Sequence, residues 1–164
     1  METQAHTFGF GTSGISDKIV VFILEAMRYA LRLSSVERIV RIVEISALPK
    51  APEIVLGIVN LRGEIIPVIN IRKRFRLAER DLALSSHLLI ARTTHRRVAL
   101  AVDSVIGVIE GSSENTTAGE NILPRMDYVQ GVVRLGDGLV LIHDLDTFLS
   151  LEEENTLELA MKPN

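Results

Sequence analysis

The amino-acid sequence predicts an all-β protein made of two similar halves, and two observations carry that prediction. Short segments rich in Val, Ile and Leu recur along the chain, separated by turn residues and not by long helical patterns, as the strands of a barrel or sandwich are. The chain also repeats itself. Shifted by 69, Lys18 to Ile39 falls on His87 to Val108 without a gap; shifted by 74, Gly57 to Phe75 falls on Gly131 to Leu149. Apolar positions coincide under both shifts while charges do not, the behaviour of halves that share a barrel topology and differ in surface. The shifts differ by 74 − 69 = 5 residues, which a longer loop at 111–127 absorbs.

Taken in order, residues 1–17 are polar and glycine-rich and read as a flexible tail. Strands follow at 19–24, 27–33, 39–45, 55–60 and 65–71 in the first half, about 18–75. The second half, about 87–149, supplies 88–92, 97–102, 105–109, 129–135 and 138–143. "SSVERI" at 34–39 reads as a brief helix capped by Ser34 or Ser35. Pro67 has no N–H to donate, which places its strand at an edge or a bulge. Short helical stretches are expected at 72–76 and 145–154, and residues 151–164 read as a C-terminal helix or tail. Two lobes of this kind leave a groove between them, a favoured place for a binding site.

Composition excludes several function classes. Cysteine is absent, which removes disulfides, thiolate metal sites and thiol catalysis together. The net charge of −3 disfavours a protein whose main partner is nucleic acid, because phosphate backbones demand a cationic excess. The longest apolar run, "IVVFIL" at 19–24, is far short of a spanning helix, and the N-terminus has no signal-peptide pattern, so direct membrane insertion is not expected and a cytoplasmic location is.

Individual motifs add no catalyst. "GFGTSG" at 9–14 formally matches G-x-G-x-x-G but precedes the first strand instead of joining a strand to a helix, and reads as a linker. His6, His87, His95 and His143 are scattered; "IHDLD" clusters His143, Asp144 and Asp146, and reads as a solvated strand end and not a metal site. No nucleophile elbow or P-loop is present, so the protein is read as a non-enzyme without cofactor or metal. "RKRFR" at 72–76 reads as a charged, solvated cap; an alternative is a nucleic-acid-binding barrel using Arg72, Lys73, Arg74 and Arg76.

"APEIVLGIVNLRGEIIPVINIRKRF" at 51–75 resembles the signature of the CheW-like adaptor family of bacterial chemotaxis, through Pro52, Gly57, Asn60 to Gly63, Pro67, Ile71, Arg72 and Phe75. The likeness continues through "YALRLSSVERI", "VALAVDSVIGV" and "VQGVVRLGDGLVLIHDLDTFL", so that the implied domain spans 18–150. The resemblance implies two SH3-like five-stranded β-barrel lobes around a shared core, with short helices. It also implies a non-catalytic scaffold that couples the cytoplasmic tip of a methyl-accepting chemoreceptor to the regulatory domain of a CheA-type histidine kinase. Carried over by position, Val36, Arg38, Gly57, Arg62 and Val108 form the receptor-facing region around the inter-lobe groove. Candidate kinase contacts are apolar groups expected to be exposed at loop tips: Ile42, Ile65, Ile122 and Leu123.

One position departs from the family pattern. Members commonly carry an acid where this chain has Arg38, with Glu37 one place earlier. Two arginines at about 4 Å repel by roughly 1 kcal/mol in water and about 4 kcal/mol near a protein surface. Either Glu37 or Glu64 compensates, or the groove suits a more acidic partner. The departure also keeps open an adaptor of a motility or development pathway outside chemotaxis.

Overall fold

The computed structural model describes residues 18–110, 116–118, 129–136 and 138–163. The expected tail at 1–17 and most of the expected 111–127 loop lie outside the described residues. Among the described residues there are eleven strands: β1 (Lys18–Leu24), β2 (Met27–Arg32), β3 (Val36–Arg41), β4 (Val55–Leu61), β5 (Glu64–Ile69), β6 (His87–Arg92), β7 (Arg97–Val102), β8 (Ser104–Glu110), β9 (Thr116–Ala118), β10 (Val129–Leu135) and β11 (Gly138–His143). Among the described residues two α-helices accompany them, α1 (Ile71–Arg74) and α2 (Leu151–Met161).

The strands form two sheets, ordered β8-β1-β2-β11-β10-β9 and β3-β6-β7-β5-β4. The chain divides into two compact units accordingly. The first holds residues through Val36 and Ser104–Leu145; the second holds Glu37–Asp103 and the chain from Asp146 onward. The sequence repeat maps strand onto strand: β1, β2 and β3 onto β6, β7 and β8, then β4 and β5 onto β10 and β11. Each unit nevertheless draws on both halves: the first takes β1 and β2 from one half and β8 to β11 from the other, and the second takes β6 and β7 from one and β3 to β5 from the other.

The registers obey the same two shifts. Ala30 pairs with Ile142 in the first sheet and Ala99 with Val68 in the second, both in parallel ladders, with 99 − 30 = 69 and 142 − 68 = 74. A bulge between Val55 and Gly57 recurs between Val129 and Gly131. The closing element is also shared. After β3 the chain crosses to the far edge of its sheet, where Ser46 and Ile58 exchange backbone hydrogen bonds of 2.8 and 2.7 Å. In the first unit β9 plays this part, with Thr117 opposite Val132, the counterpart of Ile58. Each five-stranded sheet is thus curled into a barrel by the segment following its third strand, and β9 is long enough to count as a sixth strand.

Among the described residues a hydrophobic cluster packs within each unit. Ile19, Val21, Ala30, Val133, Val140 and Ile142 pack together in the first, and Val59, Ile66, Val68, Leu88, Ile90 and Ala99 in the second. β-branched residues dominate because their restricted χ1 suits a pleated, buried surface.

Two local expectations are corrected. Residues 34–39 do not form a helix: a single 3-10 turn covers Leu33–Ser35 and β3 begins at Val36. One turn of helix cannot meet its nucleation cost, whereas Val36, Ile39 and Val40 gain a ladder with β6. Pro67 lies in an inner strand, not at an edge, since β5 sits between β7 and β4. It is tolerated because the β7 ladder starts only at Val68, so no partner on that side asks for the missing N–H.

The chain crosses between units three times, and in the second unit an anchored acid stands beside each crossing. Glu37 is held by Arg97, Asp103 by Arg72, and Asp146 accepts the Thr94 N–H at 2.8 Å. Among the described residues no helix is long and apolar enough to cross a membrane.

Candidate functional site

The N-L-R-G segment forms the two-residue hairpin between β4 and β5. Leu61 pairs with Glu64, and the two turn residues take positive φ, 54° at Arg62 and 89° at Gly63. That is a type I′ turn, whose twist matches that of the strands it joins. Asn60 Oδ1 accepts the Gly63 N–H at 2.8 Å and fixes the turn. Glycine is suited to one turn position, but arginine in a left-handed conformation costs about 1–2 kcal/mol. The side chain is exposed and makes no ion pair among the described residues. A rigid, locally unfavourable backbone therefore presents one cation to solvent.

Beside this turn lies a three-residue ion network. Arg97, the first residue of β7, donates from Nε to Glu37 Oε1 at 2.5 Å and from Nη1 to Glu64 Oε2 at 2.6 Å. Glu37 belongs to β3 and Glu64 opens β5, so one guanidinium ties the third strand to the Arg62 hairpin. Hydrogen bonding to Glu37 first, then to Glu64, raises the Arg97 pKa further above its already high ordinary value. The two acids proposed to compensate Arg38 are thus both engaged by Arg97. Arg38 itself is exposed and makes no ion pair among the described residues.

The other candidates divide between the units. Gly57 is buried in β4 at the bulge, with φ 156°, and a Cβ there would run into the Ser46 carbonyl. Its role in the structure is to let the closing segment approach β4. Val36 is half-buried at the end of the first unit, and Val108 lies in the same unit on β8, 52% exposed. Ile106, the residue at the β8 bulge, is 51% exposed, an apolar group that the sequence reading missed.

Of the apolar candidates, Ile65 is exposed beside the hairpin. The expectation that Ile42 is an exposed loop tip is corrected: it is partly buried against the second unit's core, and its N–H donates to the Ser86 carbonyl at 3.2 Å. Ile122 and Leu123 lie outside the described residues.

The "RKRFR" cluster is not a solvated cap. Asn70 caps the single turn of α1, which turns Arg72 inward to 5% exposure, where its Nη2 donates to both oxygens of Asp103 at 2.6 and 2.7 Å. Arg74 donates to Glu153 Oε1 on α2 at 2.6 Å. These arginines brace the second unit, which takes two of the four cations away from any nucleic-acid reading. His143 is likewise not a solvated strand end. It is 4% exposed, its ring tilted against Tyr29 at 5.4 Å. No group of His, Asp and Glu among the described residues is arranged to hold a metal. A cleft of about 480 Å³ bordered by Leu56, Asn70, Arg72, Arg80 and Asp81 mixes both charge signs and selects no ligand class.

A family model described as CheW-like domain matches residues 18–153. A chemotaxis protein CheW from Treponema pallidum (strain Nichols) is 31% identical over 142 residues, covering 83% of this chain and 84% of that one. The crystal structure of the scaffolding protein TtCheW from Thermoanaerobacter tengcongensis superposes with a TM-score of 0.76 at 31% identity, over 85% of this chain and 96% of that one. A chemotaxis protein CheA from Borreliella burgdorferi is 27% identical over 100 residues, which are 58% of this chain and 11% of that protein.

Proposed function

The chain belongs to the CheW-like domain family, and from that premise we propose that it is a chemotaxis adaptor: a non-catalytic cytoplasmic scaffold joining the cytoplasmic tip of a chemoreceptor to a CheA-type histidine kinase. The observation that carries this reading is the Asn60–Gly63 hairpin, where a type I′ turn holds Arg62 exposed in a strained backbone. Strain kept at an exposed position favours a binding role over a structural one. The receptor-facing candidates of this proposal are Arg38 and Arg62 on the second unit and, separately, Val36 and Val108 on the first; Ile65 is the described kinase-docking candidate.

The kinase partner is supported by the similarity of a CheA segment to this chain. Proteins that share a barrel can pair through equivalent edges and ends, and such heterologous contacts extend into rings or arrays when each barrel has two of them. Co-sedimentation of the full chain with receptor-containing membranes and kinase tests the proposal. The kinase is expected in the pellet only when the adaptor is present; kinase that pellets equally well without it would sink the coupling role.

A further inference from the structure

We infer that Arg97 sets the charge of the partner-facing surface, by drawing Glu37 and Glu64 away from Arg62 and Arg92 so that these arginines meet an acidic segment of the receptor. The inference rests on the reading that this surface faces a receptor. Five cations and two acids stand on β3, β5, β6, β7 and the hairpin turn: Arg38, Arg41, Arg62, Arg92 and Arg97 against Glu37 and Glu64. Their sum, 5 − 2 = +3, contrasts with the −3 of the whole chain. How the acids are shared decides what the surface presents.

Geometry gives both acids to Arg97. Its planar fork holds two carboxylates from different strands at 2.5 and 2.6 Å, which a lysine point charge does less well. Arg92 stands directly opposite Arg97 across the β6–β7 pair, a like-charge juxtaposition that the two carboxylates offset. Glu64 lies two residues from Arg62 at the same hairpin and is the nearest acid in the chain to neutralise it. Because Glu64 is held by Arg97, Arg62 remains exposed, as does Arg92, and neither makes an ion pair among the described residues. An acidic segment is the complementary occupant, and charge complementarity of this kind governs specificity and encounter rate. Arg97 is a positioning residue here: it acts through the acids that it holds.

Calorimetric titration of the full chain with a chemoreceptor cytoplasmic fragment tests this. Arg97→Gln is expected to weaken binding about tenfold, the sum of two or three exposed ion pairs. Adding Glu37→Gln and Glu64→Gln to that variant is expected to restore wild-type affinity or better, since no freed acid is left to mask the arginines. In the unbound protein, the Arg62 side-chain Nε–H resonance is expected to shift in Arg97→Gln and to return in the triple variant. Should Arg97→Gln lose its circular-dichroism signature, Glu37→Gln with Glu64→Gln carries the test, and equal or tighter binding is expected. Weakening by Arg97→Gln without recovery in the triple variant would show a merely structural role and overturn the inference. Equal binding by wild type and Arg97→Gln would overturn it while leaving the receptor reading intact. Absence of wild-type binding would overturn the receptor reading itself.

Discussion

Arg62 and Gly57 show how residues in one motif can do different work. Arg62 occupies a left-handed position that asparagine or glycine tolerates better. Arg62→Asn is therefore expected to raise thermal stability, by about 1 kcal/mol, while lowering affinity for the receptor fragment; parallel melting and binding curves check it. Gly57 is different in kind. Its Cβ position is blocked by the Ser46 backbone, which closes the barrel. Gly57→Ala is expected to destabilise by roughly 2 kcal/mol or more in denaturant titration, with any loss of binding following the loss of fold. The sequence pointed to both residues as one group, because spacing within a motif does not distinguish exposure from close approach.

At the scale of elements, α2 illustrates how a helix docks by its first turn. Ser150 and Glu153 form a reciprocal capping box: the Ser150 hydroxyl accepts the Glu153 N–H at 3.1 Å and Glu153 Oε1 accepts the Ser150 N–H at 2.8 Å. The same Glu153 oxygen holds Arg74, Arg96 reaches Glu154 at 3.3 Å, and Leu157 is fully buried. Burial alone would raise the Glu153 carboxyl, but the hydrogen bond and charge of Arg74 with the Ser150 contacts outweigh it and hold the group below the usual carboxylate range. A depressed folded-state value means stability that is fully present above the unfolded glutamate pKa of about 4.3 and lost as pH falls through the folded value. Glu153→Gln is therefore expected to flatten the acid limb of stability as the pH falls below the unfolded glutamate value; an acid limb identical to wild type would remove Glu153 from that role. The acidic run at 152–154 thus reads in sequence as an exposed face, although two of its three members are ion-paired. Nothing local in "EEE" announces Arg74 and Arg96, which stand 79 and 58 residues away.

For the whole molecule, the decisive fact is that the repeat and the compact units cut the chain differently. Residues 18–75 carry a complete copy of the repeat, yet they lack β6 and β7, which separate β3 from β5 in the second sheet. A chain of 18–75 alone is expected to show no stable β signature. A chain joining 37–103 through a short linker to 146–163 holds all five strands of that sheet and α2, and is expected to fold. Circular dichroism and amide dispersion in NMR spectra decide both outcomes, and a folded 18–75 fragment would contradict the interleaving.

The sequence by itself determined the all-β class, the positions of nearly every strand, the internal shifts of 69 and 74, and the family, because strand periodicity, turn chemistry and the N-L-R-G hairpin are local and repeat in place. Only the tertiary structure decided which strands pair, that Pro67 lies inside a sheet, that Arg72 and Arg74 turn inward, and that Arg97 claims Glu37 and Glu64. Each of these depends on partners far apart in the chain, as in the 31-residue separation of Arg72 and Asp103, the 60-residue separation of Arg97 and Glu37, or the pairing of Ala30 with Ile142. A charge in a sequence has a sign, but its partner is chosen by the register of strands that meet only when the two halves interleave.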